Sequence, residues 1–305
     1  MIAFVFPGQG AQTIGMGVAC AEASADARAA FTLASEATGL DLLDLCRRGP
    51  AERLAETEIT QPAILAASAA VLAMVAAAGR HPDAVAGLSL GEYTALVAAG
   101  SLDLGTAASL LQRRGHYMQE AVPLGKGAMA AILGLDRQRV EQICSEVPGV
   151  VTPSNYNCPG QTVISGEASA VEAAAAACRA AGARKASVLP VSAPFHCPLM
   201  APAAARLAED LAQAPVGQAQ IPVVCNVDAV PIHDPAAIRE ALVRQVDGAV
   251  RWEDSIRTLW DMGCDTFVEV GPGTALTSFL KRIEPRARGV ACATPKDVTT
   301  LAIAG

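Results

Sequence analysis

Ala84-Val85-Ala86-Gly87-Leu88-Ser89-Leu90-Gly91-Glu92 reads as a strand that turns sharply into a helix: an apolar run, a glycine-flanked pentapeptide, and a helix-forming stretch over 92–99. Glycines two residues either side of Ser89 relieve the crowding of such a turn. They lift the hydroxyl clear of the sheet and leave it beside a helix N-terminus with its free N–H groups. Two readings stay open on these residues, a nucleophilic serine suited to acyl transfer and an ordinary turn, since Gly and Ser are common in turns.

Around this stretch lies a chain of 305 residues with 52% hydrophobic content, enough for one large domain or a main domain with a smaller insert. The net charge of -7, with no basic run longer than two residues, argues against nucleic acid as a partner. The nearly apolar run 62–79 is mostly alanine and lacks aromatic or basic anchors, so a buried core helix is expected and no membrane role. Met1-Ile2-Ala3-Phe4-Val5-Phe6 resembles a first strand and not a signal peptide, which points to a cytoplasmic protein. Nine scattered cysteines without a Cys-x-x-Cys pair suggest reduced thiols. The four histidines lie far apart, and none sits in a His-Glu-x-x-His arrangement, so no metal is expected.

Organisation follows from the order of elements. Strand 2–6, helix 60–78, a strand ending at Leu88, the helix after Ser89 and helix 104–120 form an alternation that predicts a parallel sheet covered by helices. From Gly127 the order becomes strand 128–134, helix 137–146, strands 150–155 and 161–165, helix 169–181 and strand 185–191, a β-α-β-β-α-β unit matching the ferredoxin-like motif. Gly125-Lys126-Gly127 and Ala193-Pro194 read as its hinges. Alternation then resumes with helix 198–212, strand 222–226, helices 235–245 and 252–261, strand 266–270 and helix 274–282. The expected division is a large α/β subdomain of residues 1–125 and 192–305 and a small ferredoxin-like subdomain of residues 126–191. Its junctions place Arg114, His116 and His196 near the seam, where ligand clefts commonly form.

Two further segments bear on chemistry. Phe6-Pro7-Gly8-Gln9-Gly10-Ala11-Gln12 follows the first strand, and a glycine-rich loop there can present N–H groups to a developing negative charge. It lacks the third glycine of a dinucleotide loop, and Pro-Gly as a bare turn needs no function. His196 lies in Ser192-Ala193-Pro194-Phe195-His196-Cys197-Pro198, bounded by two prolines. Such rigidity suits a general base held in one tautomer, although a lone histidine also serves as a surface or capping residue.

Taken together, these segments resemble the malonyl-CoA:acyl carrier protein transacylase family over essentially the whole chain. The matching stretches are Phe6 to Gln12 as quoted, Gln61-Pro62-Ala63, Gly87-Leu88-Ser89-Leu90-Gly91-Glu92-Tyr93, Arg114-Gly115-His116-Tyr117-Met118-Gln119, Asn155-Tyr156-Asn157-Cys158-Pro159-Gly160-Gln161, Phe195-His196-Cys197-Pro198-Leu199-Met200, Cys225-Asn226-Val227-Asp228 and Glu269-Val270-Gly271-Pro272-Gly273. The resemblance implies an α/β fold, an α/β-hydrolase-like core with a parallel sheet and an inserted ferredoxin-like subdomain.

It also implies Ser89 as nucleophile, His196 as base, and a backbone carbonyl near Gln245 as the group that steadies the imidazole in place of an acidic third member. Gln9 and Leu90 N–H would form the oxyanion hole. Arg114 would bind the free carboxylate of a malonyl group, a task that suits a guanidinium because it binds bidentately and stays charged; the Arg-Gly junction favours it over Arg113. Gln61, Asn155 and Phe195 would line the substrate, Phe195 narrowing the pocket around the acyl α-carbon, and Arg184, Lys185 and Arg282 would meet an acidic carrier protein.

Two positions depart from the family pattern: Leu88 replaces a frequent histidine, and Thr274 stands where a lysine often follows the Gly-Pro-Gly turn. The implied protein is a cytoplasmic monomer that takes malonyl-CoA and holo acyl carrier protein and needs no cofactor. A discrete acyltransferase serving a polyketide synthase shares every motif. A serine thioesterase shares the elbow, but would want an acidic residue behind the histidine and no arginine facing the acyl group.

Overall fold

A computed structural model describes residues 1–303; residues 304 and 305, the end of the expected large subdomain, lie outside the described residues. Among the described residues, ten strands form two sheets. The larger has the order β10-β9-β1-β2-β7-β8, where β1 is Ile2–Phe6, β2 Ala84–Gly87, β7 Val223–Val224, β8 Pro231–Ile232, β9 Thr266–Val270 and β10 Arg288–Cys292. Its pairs are parallel except the edge hairpin β7–β8. β1, β2 and β9 are buried on both faces, which their near-continuous apolar sequences allow.

The sheet is therefore not parallel throughout. The expected strand 222–226 shrinks to two residues because the chain folds back at once, Cys225 N–H donating to Val230 O and Ala229 N–H to Cys225 O. Helix 60–78 starts earlier, as Thr57–Ala77, with Pro62 inside it. Its first turn is pressed against Gly115, where an added Cβ would lie 2.6 Å from Glu58 Cα. Length and composition would let this helix cross a membrane, but 78% of its most apolar window is buried inside the protein. Apolar side chains at Ile64, Leu65 and Val71 fill the main core, each fully buried aliphatic contributing about 1.5–3 kcal/mol. Residues 18–54, for which no elements were read from the sequence, form four short helices, Val18–Ala23, Ala25–Thr38, Leu42–Arg48 and Ala51–Leu54.

The smaller sheet is antiparallel, with the order β4-β5-β3-β6, and comprises β3 Gly127–Leu133, β4 Val151–Cys158, β5 Gln161–Glu167 and β6 Lys185–Val188. Helices Arg137–Glu146 and Ala168–Ala180 complete the ferredoxin-like order and pack on one shared core that includes Ile132, Val140, Ile164 and Val171. β6 ends three residues before the expected 191, just ahead of Leu189-Pro190, since a proline cannot donate to the ladder. Helix 198–212 is likewise divided into a 3-10 turn, Pro198–Met200, and a helix, Ala201–Gln213. β4 reaches across to the larger unit: Val250 N–H donates to Ser154 O at 2.8 Å and Tyr156 N–H to Val250 O at 2.9 Å.

The elbow is where the backbone comes closest to itself. A Cβ on Gly87 would lie 1.9 Å from the Gly91 carbonyl, and one on Gly91 would lie 2.3 Å from Phe6 O. Gly91→Ala should therefore cost more than about 3 kcal/mol or abolish folding. Gly182→Ala, at a positive φ with nothing within 4 Å of the new atom, should cost only about 1–2 kcal/mol; thermal unfolding of the two variants checks the difference.

Candidate active site

Ser89 follows β2 and precedes helix Gly91–Ala98, and its φ is 55°, a left-handed value that a serine adopts only when its surroundings impose it. Asn226, just beyond β7, holds the elbow from the opposite side. Its Oδ1 accepts the Ser89 N–H at 2.7 Å and its Nδ2 donates to Gly87 O at 2.7 Å. The Ser89 N–H is thereby committed. The backbone N–H groups of Leu90 and Gln9 donate to no protein acceptor among the described residues, and both residues line the same cavity as Ser89.

His196 also has a positive φ, 58°, in its proline-bounded loop. Its Nε2 lies 2.7 Å from Ser89 Oγ and its Nδ1 2.7 Å from Gln245 O. A carbonyl can only accept, so the proton sits on Nδ1 and Nε2 is left as the acceptor facing the serine. Burial, helped by the charge of Arg114, pushes the imidazole down to about 3. The ring is therefore a neutral base throughout the physiological range.

Arg114 comes from helix Leu104–Glu120, is 2% exposed, and has only neutral acceptors. Nη1 donates to Gln61 Oε1 at 2.7 Å, and Nη2 donates to Gln245 Oε1 at 2.8 Å and to Ser89 Oγ at 3.1 Å. Nε has no partner. Burial lowers the guanidinium's pKa from its usual value. A guanidinium has five N–H donors, so the Nε–H and one Nη1 proton remain uncommitted. A buried cation without a contacting carboxylate is costly, and an anionic ligand would offset that cost.

The cavity above these groups has a volume of about 280 Å³. Asn155 and Phe195 line it, together with apolar side chains including Met118, Met129 and Phe279. Glycine at position 8 is required here, since a Cβ would lie 2.5 Å from Leu88 O.

The structure thus brings Ser89, His196, Gln245, Arg114, Gln61, Gln9, Leu90, Asn155 and Phe195 together around one cavity or its immediate support. Arg184, Lys185 and Arg282 are exposed and outside it. Among the described residues none of the three pairs with a carboxylate. Arg282 instead reaches Gln161 Oε1 at 3.1 Å and Pro159 O, tying its helix to the β4–β5 turn. His116 lies on the surface between Glu58 and Glu120, away from Ser89.

Two members of the network carried no role in the sequence reading, Asn226 and Glu92. Glu92 Oε2 accepts from Asn226 N–H at 2.9 Å and from Gln245 Nε2 at 2.8 Å. The signal available was a lone carboxylate in the otherwise uncharged 91–98 helix, one turn after the serine.

Residues 3–295 match the model of the acyl transferase domain family. The chain is 49% identical over 284 residues to the malonyl CoA-acyl carrier protein transacylase of Escherichia coli K12, covering 92% of each chain. The solved malonyl CoA-acyl carrier protein transacylase of Coxiella burnetii superposes with a TM-score of 0.97 at 42% identity, covering 99% of this chain and 96% of that one. A malonyl-transacylase solved in complex with a type II PKS acyl-carrier protein gives 0.97 at 44% identity, covering 100% and 99%.

The state of His196 sets a pH dependence. An imidazole near its ordinary 6.5 would retain only about a tenth of its neutral form at pH 5.5, whereas one at about 3 stays neutral. Labelling of Ser89 by a fluorophosphonate should then proceed at pH 5.5 at no less than about half its pH 7 rate, read by intact mass; a fall to about a tenth would show an ordinary histidine.

Proposed function

The chain belongs to the acyl transferase domain family, and on that premise we propose that it moves a malonyl group from malonyl-CoA to the phosphopantetheine thiol of acyl carrier protein, for fatty acid biosynthesis in the cytoplasm. The observation that carries this reading is the buried Arg114 guanidinium, which reaches the nucleophilic oxygen of Ser89 and yet meets only neutral acceptors.

The reaction runs in two half-steps with one intermediate. Ser89 Oγ attacks the thioester carbon while its proton passes to His196 Nε2, and the carbonyl oxygen gains negative charge between the Gln9 and Leu90 N–H groups. Each such donor contributes about 3 kcal/mol to the transition state. The C–S bond then breaks, His196 returns the proton to the CoA sulfur, and a malonyl ester remains on Ser89. In the second half the carrier-protein thiol gives its proton to His196 and attacks that ester. Ser89 leaves as the alcohol, taking the proton back.

Arg114 supplies the selectivity. Once Ser89 is acylated, the Nη2 proton that pointed at its hydroxyl is released and joins the free Nη1 proton as a fork for the malonyl carboxylate. Gln61 and the Gln245 side chain hold the guanidinium from behind. Asn155 and Phe195 bound the acyl group, Phe195 against the α-carbon, where a methyl branch would crowd it. The unit of residues 126–191 closes the cavity from above, and the exposed cations Arg184, Lys185 and Arg282 form the approach for the acidic carrier protein, one enzyme monomer serving one carrier. Supply of a polyketide carrier is a second reading, favoured by the solved complex of a similar malonyl-transacylase with a type II PKS carrier.

Incubation with malonyl-CoA should add one malonyl group to the wild type and none to Ser89→Ala, and holo carrier protein should then remove it. An adduct that persists in Ser89→Ala would refute the mechanism. Arg114→Ala should lose malonyl loading by about a hundredfold or more, the worth of a charge-assisted pair, while acetyl loading falls far less; equal losses on both would rule out a carboxylate clamp.

A further inference from the structure

Glu92 is the buried carboxyl beside the nucleophile that the transfer steps leave idle. It is 1% exposed, in the first turn of the helix that Ser89 introduces. Both of its hydrogen bonds fall on Oε2, from Asn226 N–H and Gln245 Nε2, and Oε1 has no partner. An amide has a donor end and an acceptor end, and Gln245 spends them in opposite directions. Its Nε2 faces Glu92, Ser89 O and Asn226 Oδ1, and its Oε1 faces Arg114. A carboxylate on one side and a guanidinium on the other fix that orientation, because a flipped amide would set like against like at both ends.

Glu92 therefore stands one amide away from a buried cation that no carboxylate contacts. We propose that Glu92 is a positioning residue for the carboxylated acyl group: through Gln245 it balances the charge of Arg114 in the free enzyme, and it takes up a proton from solvent when a malonyl carboxylate assumes that role. The inference rests on the malonyl transfer argued above.

The surroundings support the direction. Burial pushes the Glu92 carboxyl up to about 7, the bonds from Asn226 and Gln245 and the charge of Arg114 pulling it down and Asp228 pushing it further up. Arg114 faces it from helix Leu104–Glu120. Cys225 and Asp228 face it from the segment after β7, the latter paired with Arg244 from helix Pro235–Asp247, and Tyr93 adjoins it on its own helix. A second anion on Arg114 weakens the one cationic pull, so the carboxyl binds its proton more tightly in the malonyl state. The loaded enzyme then holds more protons than the free enzyme near neutral pH. By linkage, malonyl binding is favoured below the ionisation of Glu92 and weakens as pH rises through it.

The test mixes enzyme with malonyl-CoA in lightly buffered solution containing a pH indicator. The transfer itself is proton-neutral below the pKa of the CoA thiol, since the serine proton ends on sulfur. The wild type should take up a substantial fraction of a proton per malonyl-Ser89 at pH 7.5 and none at pH 5.5, with a KM for malonyl-CoA rising about fivefold from pH 6.5 to 8.5. Glu92→Gln keeps an acceptor for Asn226 and loses the charge; it should show neither uptake nor the rise in KM, and Glu92→Asp should restore both. Equal uptake in wild type and Glu92→Gln, or none in the wild type between pH 6 and 8.5, overturns the proposal. If Glu92→Gln does not fold, the wild-type pH series decides alone. A wild type that forms no malonyl adduct at all instead overturns the transfer reading, and this inference with it.

Discussion

Close approach between the end of β1 and the elbow after β2 is the constraint on which the site depends. At Gly8, Gly87 and Gly91 an added Cβ would fall within 2.5 Å of backbone atoms of Leu88, Gly91 and Phe6 respectively. These contacts leave no room for a wider turn, so Ser89 takes up its strained φ of 55°. The same closeness puts the Gln9 loop beside Leu90, so both uncommitted N–H groups border the space above the serine. The proposed nucleophile and oxyanion donors are thus consequences of one packing arrangement. Parallel pairing of β1 with β2 and β9 fixes that arrangement in the buried centre of the sheet.

Electrostatics build the second layer. Seven polar side chains, Gln61, Ser89, Glu92, Arg114, His196, Asn226 and Gln245, are each at most 8% exposed and lie in one connected set. Buried polar groups of this kind are stable only when nearly all their donors and acceptors are used. The exceptions, Glu92 Oε1 and Arg114 Nε, belong to the two charged members. Gln245 joins every other part, through its carbonyl to the histidine and through its amide to the arginine, the glutamate and the elbow.

The sequence carried the elbow clearly, because a strand-to-helix turn has local demands that Gly87 and Gly91 meet. The β-α-β-β-α-β order of the insert was legible for the same reason, each element having its own periodicity and turn residues. What was not legible depends on tertiary contact. β7 stops after two residues because the chain turns back at Cys225 and Asn226 grips the elbow, and nothing local in Val223-Val224-Cys225-Asn226 announces it. The core helix starts at Thr57, ahead of the expected 60, because its first turn packs against Gly115, a tertiary contact that no local pattern announces. Gln245 was identifiable through resemblance alone, since a backbone carbonyl used as the orienting group leaves no chemical mark in a sequence. Glu92 sat in view beside the serine, but its role follows only from what surrounds it.

Choice of acceptor can be argued from the strength of the base. A hydrolase must deprotonate water, whose pKa is about 15.7, while a thiol ionises near 8.5, a difference worth about 10 kcal/mol. His196 is a weak base, pushed down to about 3 and oriented by a neutral carbonyl in place of a carboxylate. Arg114 Nη2 donates to the Ser89 oxygen, which in the proposed first half-step would stabilise the developing alkoxide. In the proposed malonyl-enzyme that help would be gone: the serine oxygen would be esterified and the guanidinium engaged by the acyl carboxylate. A water molecule entering then would face a weak base without a cation at its oxygen, whereas a thiol needs far less of either. On the proposed mechanism the cation that selects the acyl group would thereby also disfavour its hydrolysis, and the serine at the elbow would be a station between two thiols.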